Sequence, residues 1–208
     1  MDDKVCAMIR AVTKKLGPQD HGRRMSLKEF EPIEVQEGYL YELGRGVVVV
    51  SDVPNFRHMR QVSAIRTQFM EFSLSTPGEI YQILAGSECK ILVDDLESER
   101  HPDLAIYLSL PRKEDDWRSW IPEILIEVVS LGSEIRDYEE KREEYLAIGV
   151  KEYWIVDSDK GEVLVLRRAR GKWVPHTLKA GDIYETKLLP GFRFDCRKVF
   201  EAAEKAEN

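Results

Sequence analysis

Two acids and a lysine carry most of the chemistry this sequence offers. Asp103 and Glu127 each lie in or beside a short apolar run, HPDLAIY and IPEILIEVVS, that reads as a buried strand. A carboxylate placed there loses hydration and needs a cation, a metal or several hydrogen bonds to offset the loss. Alternation along the second run puts Leu125, Glu127 and Val129 on one face and Ile124, Ile126 and Val128 on the other. If the two strands lie side by side, Asp103 and Glu127 converge on one point, as a divalent metal site requires. Lys141 follows on the next element, where Asp137, Lys141 and Tyr145 recur every four residues, and can supply positive charge. The combination suggests metal-assisted hydrolysis.

Each residue also has a plainer reading. Asp103 after a proline can cap a turn, and Glu127 can be the polar tip of an edge strand. Asp137 and Lys141 form a favourable helical ion pair worth only ~0.2–0.5 kcal/mol. Glu42, the polar residue in YLYEL, can face solvent, and Tyr145 can either hydrogen-bond the site or merely pack. His58, alone near a helix start, reads as a surface or capping residue.

The elements that must position these groups follow from the pattern. Val5, Met8, Ile9, Val12 and Leu16 predict an amphipathic helix from Asp2 to Leu16, and GPQDHGRR reads as a mobile linker. Ser26 and Glu29 predict a capping box on a short helix. YLYEL and VVVVS form a hairpin around Gly44-Arg45-Gly46. Asn55 caps a helix to about Leu74 whose Val62, Ile65, Phe69 and Phe72 share a core face. EIYQILA and ECKILVD read as two strands joined at Gly86-Ser87, and DDLESER as a solvated acidic loop. After the strand bearing Glu127, Gly132-Ser133 opens a helix to about Ile148, closed by Gly149, and KEYWIVD returns as a strand. Strand, helix, strand with short links is a crossover, so part of the sheet is parallel. EVLVLRR and KWVPHTL form a closing hairpin, and KLLPGFRFDCRKVF a last strand and short helix. The expected architecture is one α/β domain with a mixed sheet.

Composition sets the outer bounds. A chain of 208 residues, 43% hydrophobic and 33% charged, fits one well-packed soluble domain. No apolar run approaches the ~20 residues of a membrane span, and the MDDK start lacks a signal pattern. Three scattered cysteines, Cys6, Cys89 and Cys196, indicate neither a disulfide framework nor a zinc site, which points to a reducing cytoplasm. A net charge of −7 argues against a protein that coats nucleic acid, though not against an enzyme with a local basic patch. Arg167, Arg168, Arg170 and Lys172 in RRARGK offer such a patch at a hairpin tip, or are an ordinary solvated turn.

From Met25 to about Phe200 the chain resembles the Uma-two family of the PD-(D/E)XK restriction-endonuclease-like superfamily. The matching stretches are MSLKEF, YELGRG, PNFRH leading into a helix, PDLAIY, LIEVVS, the D…K…Y helix ending in GVKEYWIVD, and LLPGFRFD. The resemblance implies a restriction-endonuclease-like core, α/β (α+β), with a central mixed β-sheet flanked by helices and acids gathered where the sheet splays. It makes residues 25–200 the nuclease-like domain, 1–24 an N-terminal extension without counterpart and 201–208 a loose tail. Asp103 matches the family's PD aspartate, Glu127 the acid of its (D/E)XK strand and Glu42 the earlier glutamate. The lysine position of that signature is Val129, and Lys141 matches the lysine the family supplies from the following helix.

What the resemblance implies is a metal-dependent endonuclease acting on nucleic acid, DNA foremost. Asp103, Glu127 and the Val128 carbonyl would hold Mg²⁺ or Mn²⁺, and Glu42 would bind through a water or orient the attacking water. Lys141 would stabilise phosphate charge. A homodimer suits cutting two strands, and no membrane is involved. The alternatives are a catalytically retired nuclease fold serving binding or assembly, and a glycosidase, whose two acids would need a fixed separation of ~5–5.5 or ~6.5–9.5 Å. Two departures bear on the site. Arg45 stands where the family often has an acid, and EVVSLGS replaces the usual EVLSPST.

Overall fold

A computed structural model describes residues 15–204. The chain forms α1 (Leu27–Phe30), the hairpin β1 (Tyr39–Gly44) and β2 (Val47–Asp52), and the long helix α2 (Phe56–Ser75). Short strands follow: β3 (Gln82–Leu84), β4 (Ile91–Val93), β5 (Ser98–Arg100) and β6 (Leu104–Tyr107). Then come β7 (Ile124–Val128), a π-helical turn Arg136–Glu140 running into α3 (Lys141–Ile148), and β8 (Glu152–Asp157). The hairpin β9 (Glu162–Ala169) and β10 (Lys172–Lys179), the small pair β11 (Ile183–Tyr184) and β12 (Phe194–Asp195), and α4 (Cys196–Glu204) complete the fold.

The central sheet has six strands in the order β10-β9-β8-β7-β6-β3, and a second sheet has the order β2-β1-β5-β4. Only β7 and β8 pair in parallel in the central sheet, joined by the expected crossover through α3, so it is mixed. One face, with Ile124, Ile126 and Val128, packs on Ile65 and Phe69 of α2 and on Val199 and Phe200 of α4. The other, with Leu125 and Tyr153, packs on Tyr145 of α3 and on Ile91 and Val93 of the second sheet. The alternation read along β7 is therefore the division between two cores.

Local signals act as expected at several places. Ser26 and Glu29 cap α1 reciprocally. The Asn55 side chain accepts the His58 N–H at 2.9 Å to start α2. Arg45 and Gly46 turn the first hairpin with φ of 51° and 73°, the two positive values that a two-residue turn matched to strand twist demands. Among the described residues no helix is long and apolar enough to cross a membrane.

Four expectations are corrected, the first being the loose tail from residue 201, since residues 201–204 continue α4. The two strands expected to join at Gly86-Ser87 do not form one hairpin: β3 pairs with β6, whereas β4 pairs with β5 in the other sheet. DDLESER is not a solvated loop, because Ser98, Glu99 and Arg100 form a buried strand. Residues 17–24 are not loose either. Leu16 is fully buried against Leu27, Phe30 and Leu43, and Leu16 and Val35 form a parallel bridge. The Gly22 N–H donates to Val48, and Arg23 accepts from Val48, so the segment is stitched to the edge of β2. The helix expected over Asp2–Leu16 lies, apart from its last two residues, outside the described residues.

Candidate active site

Antiparallel pairing of β6 with β7 sets Leu104 opposite Ile126, which brings Asp103 opposite Glu127 one step further on. Asp103 Oδ2 accepts the Val128 N–H at 2.7 Å, and Glu127 Oε2 accepts the Asp103 N–H at 3.4 Å. The N–H and C=O of one strand residue leave on the same edge, so the Val128 carbonyl is directed toward the Asp103 side. Asp103 Oδ1 lies 2.8 Å from His58 Nε2. Asp103 keeps a fifth of its side chain open to solvent, while Glu127 is almost closed off.

Lys141 reaches the same point from the crossover. Its Nζ is 3.1 Å from Glu127 Oε1 and 3.1 Å from Asp137 Oδ1, and all three groups are buried. The surface ion-pair reading of Asp137 and Lys141 is thus replaced by a buried triad. The π-helical turn immediately before Lys141 widens the helix there, a feature common at functional sites. Ser133 Oγ lies 2.5 Å from Asp137 Oδ2, and Tyr145 donates to Glu127 Oε1 at 2.7 Å. Val129 sits on the Glu127 side of β7, packed in the core beside Tyr145.

Electrostatics follow from this crowding. Burial, and then the neighbouring Asp103, Asp137 and Glu42, push the Glu127 carboxyl up, against the pull of Lys141. Burial would lower Lys141, but Asp137, Glu127 and Glu42 outweigh it and hold the ammonium charged. Burial and the Glu127 charge raise Tyr145, which stays a donor. His58 is lowered by burial yet raised overall by its hydrogen bond to Asp103.

Glu42 enters from β1 behind this group. Its Oε1 accepts the His101 N–H at 2.9 Å, and its Oε2 lies 3.4 Å from Arg100 Nη1. Burial alone would raise its pKa, but Lys141, Arg100 and the His101 N–H hold it down at about 2. Arg100 is fully buried and forks onto Glu144, with Nε–Oε2 2.8 Å and Nη2–Oε1 2.9 Å, while Nη2 also meets Glu140 at 3.0 Å. Gly44 makes room for it: a Cβ there would stand 2.6 Å from Nη2. Arg45 is turned away from Glu42 to Glu143, 2.5 Å distant.

The structure thus gathers Asp103, Glu127, Val128 and Lys141, with Glu42 one layer behind. His58 and Arg100 are the groups the sequence reading missed. The RRARGK tip lies elsewhere. Arg167 is level with Glu152 at the start of β8, whereas Glu127 is level with Ile155, and Arg170 and Gly171 turn beyond it.

Two carboxylates and a carbonyl are hard oxygen donors of the kind Mg²⁺ and Mn²⁺ take, and a carboxyl raised by burial and then by its acidic neighbours is one a cation would relieve. The donor set fits. It supplies two carboxylates rather than more: among the described residues no group of three or more His, Cys, Asp or Glu side chains stands ready to hold a metal.

Comparisons with known proteins agree on the architecture. The Uma2 family model, described as "Putative restriction endonuclease", matches residues 27–197. Among solved structures, a "putative nuclease belonging to DUF820" from Anabaena variabilis ATCC 29413 superposes with a TM-score of 0.70. It is 16% identical, and the match covers 86% of this chain and 99% of that one. No curated protein matches the chain.

Proposed function

We propose that this chain, which belongs to the Uma2 family, is a metal-dependent endonuclease that hydrolyses phosphodiester bonds of nucleic acid, DNA foremost. The observation that carries this reading is the Lys141 ammonium, 3.1 Å from Glu127 and delivered by the crossover helix, with valine at the strand position two residues after Glu127. Asp103, Glu127 and the Val128 carbonyl are the groups that would hold Mg²⁺ or Mn²⁺. When bound, such a cation supplies a more acidic water and polarises a phosphoryl oxygen.

The chain's own groups have separable roles. His58 fixes the Asp103 carboxylate through Oδ1, and Tyr145 fixes Glu127 through Oε1. Lys141 stabilises negative charge gathering on the phosphate, an effect worth ~10²-fold or more in rate for one well-placed donor. Glu42, kept ionised, is an acceptor that orients the attacking water. A homodimer would present two such sites to two strands. Free, buried Cys89 and Cys196 suit a cytoplasmic setting.

A second reading is a binding module on a retired nuclease fold. One observation favours it: both oxygens of Asp103 and Oε1 of Glu127 already have partners within the protein. Cleavage separates the two. Supercoiled plasmid and single-stranded circles incubated with Mg²⁺ or Mn²⁺ should be cut, and Lys141→Met should slow cutting ~10²-fold or more. Adding Val129→Lys, on the strand face of Glu127, should recover part of the loss. Binding without cutting under either cation supports the module, and Lys141→Met cutting at the wild-type rate removes Lys141 from the mechanism.

A further inference from the structure

Large apolar side chains stand exposed on the two segments that lead into this site. Phe56 is 69% exposed, Ile135 66% and Leu131 fully so, and Val53 is open beside them in sequence to Phe56. They stand on two segments, the entry to α2 and the stretch from β7 to α3, that reach the same end of β8. His58, two residues after Phe56, touches Asp103, and Arg57 reaches Asp159 at 3.0 Å in the turn after β8. Tyr138, three residues after Ile135, donates to Asp157 at 2.9 Å, at the start of that same turn. Val129, two residues before Leu131, donates its N–H to the Val156 carbonyl. A single exposed leucine is ordinary, but four exposed apolar residues on two segments that reach the same end of β8 mark a surface fit for a ligand.

The cations nearby are mostly spent. Arg57 is paired with Asp159, while Lys160 is paired with Asp157 at 2.9 Å and lies over the Tyr138 ring. Arg136, next to Ile135, differs: its Nε is buried without a partner, and it joins no ion pair among the described residues. Duplex DNA shows a protein mainly its phosphates, which need several free cations. An unpaired strand shows base faces as well, on which an aromatic side chain such as Phe56 stacks regardless of sequence, and against which aliphatic side chains bury apolar area.

We infer that this rim, with Val53, Phe56, Leu131 and Ile135 against bases and Arg136 at one phosphate, seats an unpaired stretch of polynucleotide. The inference rests on the nuclease reading above and narrows its substrate to single-stranded or locally opened nucleic acid.

Fluorescence anisotropy tests it, using a labelled single-stranded DNA oligonucleotide and the same strand in a duplex, with Ca²⁺ as counterion. Wild type should bind the single strand about tenfold more tightly than the duplex, and Phe56→Ser with Leu131→Ser should remove about that factor, on the scale of one base stacked on a side chain. Arg136→Gln should lower the salt slope of single-strand binding by about one. Because Phe56 and Leu131 are exposed, the thermal midpoint and Mn²⁺ affinity of their double variant should not move. Equal binding of duplex, or unaltered single-strand binding by the double variant, overturns the inference. Loss of strand preference with cutting intact overturns it alone. Preference without any cutting removes the catalytic reading and leaves the surface standing.

Discussion

Glu42 and Arg100 show how far the site depends on charges gathered behind the two strand carboxylates. Arg100 is sunk among Glu42, Glu140 and Glu144, and breaking such a buried pair from one side typically costs ~3–5 kcal/mol. Glu42 links that group to the site, because Lys141 and Arg100 together hold its pKa at about 2 against an ordinary 4.5. A carboxyl depressed on folding adds stability that is present above the unfolded value and lost as pH falls through the folded one. Its contribution is on the order of 3 kcal/mol. Without added divalent cation, the denaturant midpoint of Glu42→Gln should therefore trail wild type by a constant amount above pH 4.5. The gap should close as pH falls toward about 2. A gap independent of pH would mean that Glu42 acts through packing rather than charge.

Elements explain which parts of the site were legible in the sequence. Lys141 could be found because Val129 leaves the strand without a lysine and the helix offers one at a readable spacing. His58 and Arg100 could not, since their partners Asp103 and Glu144 lie 45 and 44 residues away and no local pattern marks the pairing. The π-helical turn was hidden because residues 137, 141 and 145 keep the four-residue spacing of an ordinary helix. DDLESER misled by composition: charge suggests solvent, yet the strand it contains is buried because Arg100 and Glu144 satisfy each other. Residues 17–24 misled in the same way, since Gly, Pro and polar side chains hide a backbone stitched to β2. Starting the chain at Met25 removes Leu16 from the core of the second sheet, and losing a buried leucine costs ~2–5 kcal/mol. The thermal midpoint should fall by at least about 5 °C. An unchanged midpoint would show that the segment only lies on the surface.

At the scale of the whole molecule, the proposed function requires a chain of net charge −7 to meet a polyanion at an acidic cluster. The fold handles this by division. The central sheet places Asp103 and Glu127 on adjacent strands, the crossover brings Lys141, and the second sheet supplies Arg100 and Glu42 from behind. The basic RRARGK tip lies toward the other end of β8, so on the proposed endonuclease reading phosphate neutralisation at the site would fall to Lys141 and to a cation held by the two acids. That dependence is the central claim, and calorimetric titration with Mn²⁺ tests it most directly. Wild type should bind the ion, and Asp103→Asn and Glu127→Gln should each weaken binding at least about tenfold, as loss of one charged ligand to a hard cation implies, while far-ultraviolet dichroism stays native. Equal Mn²⁺ affinity in wild type and both variants would contradict the account.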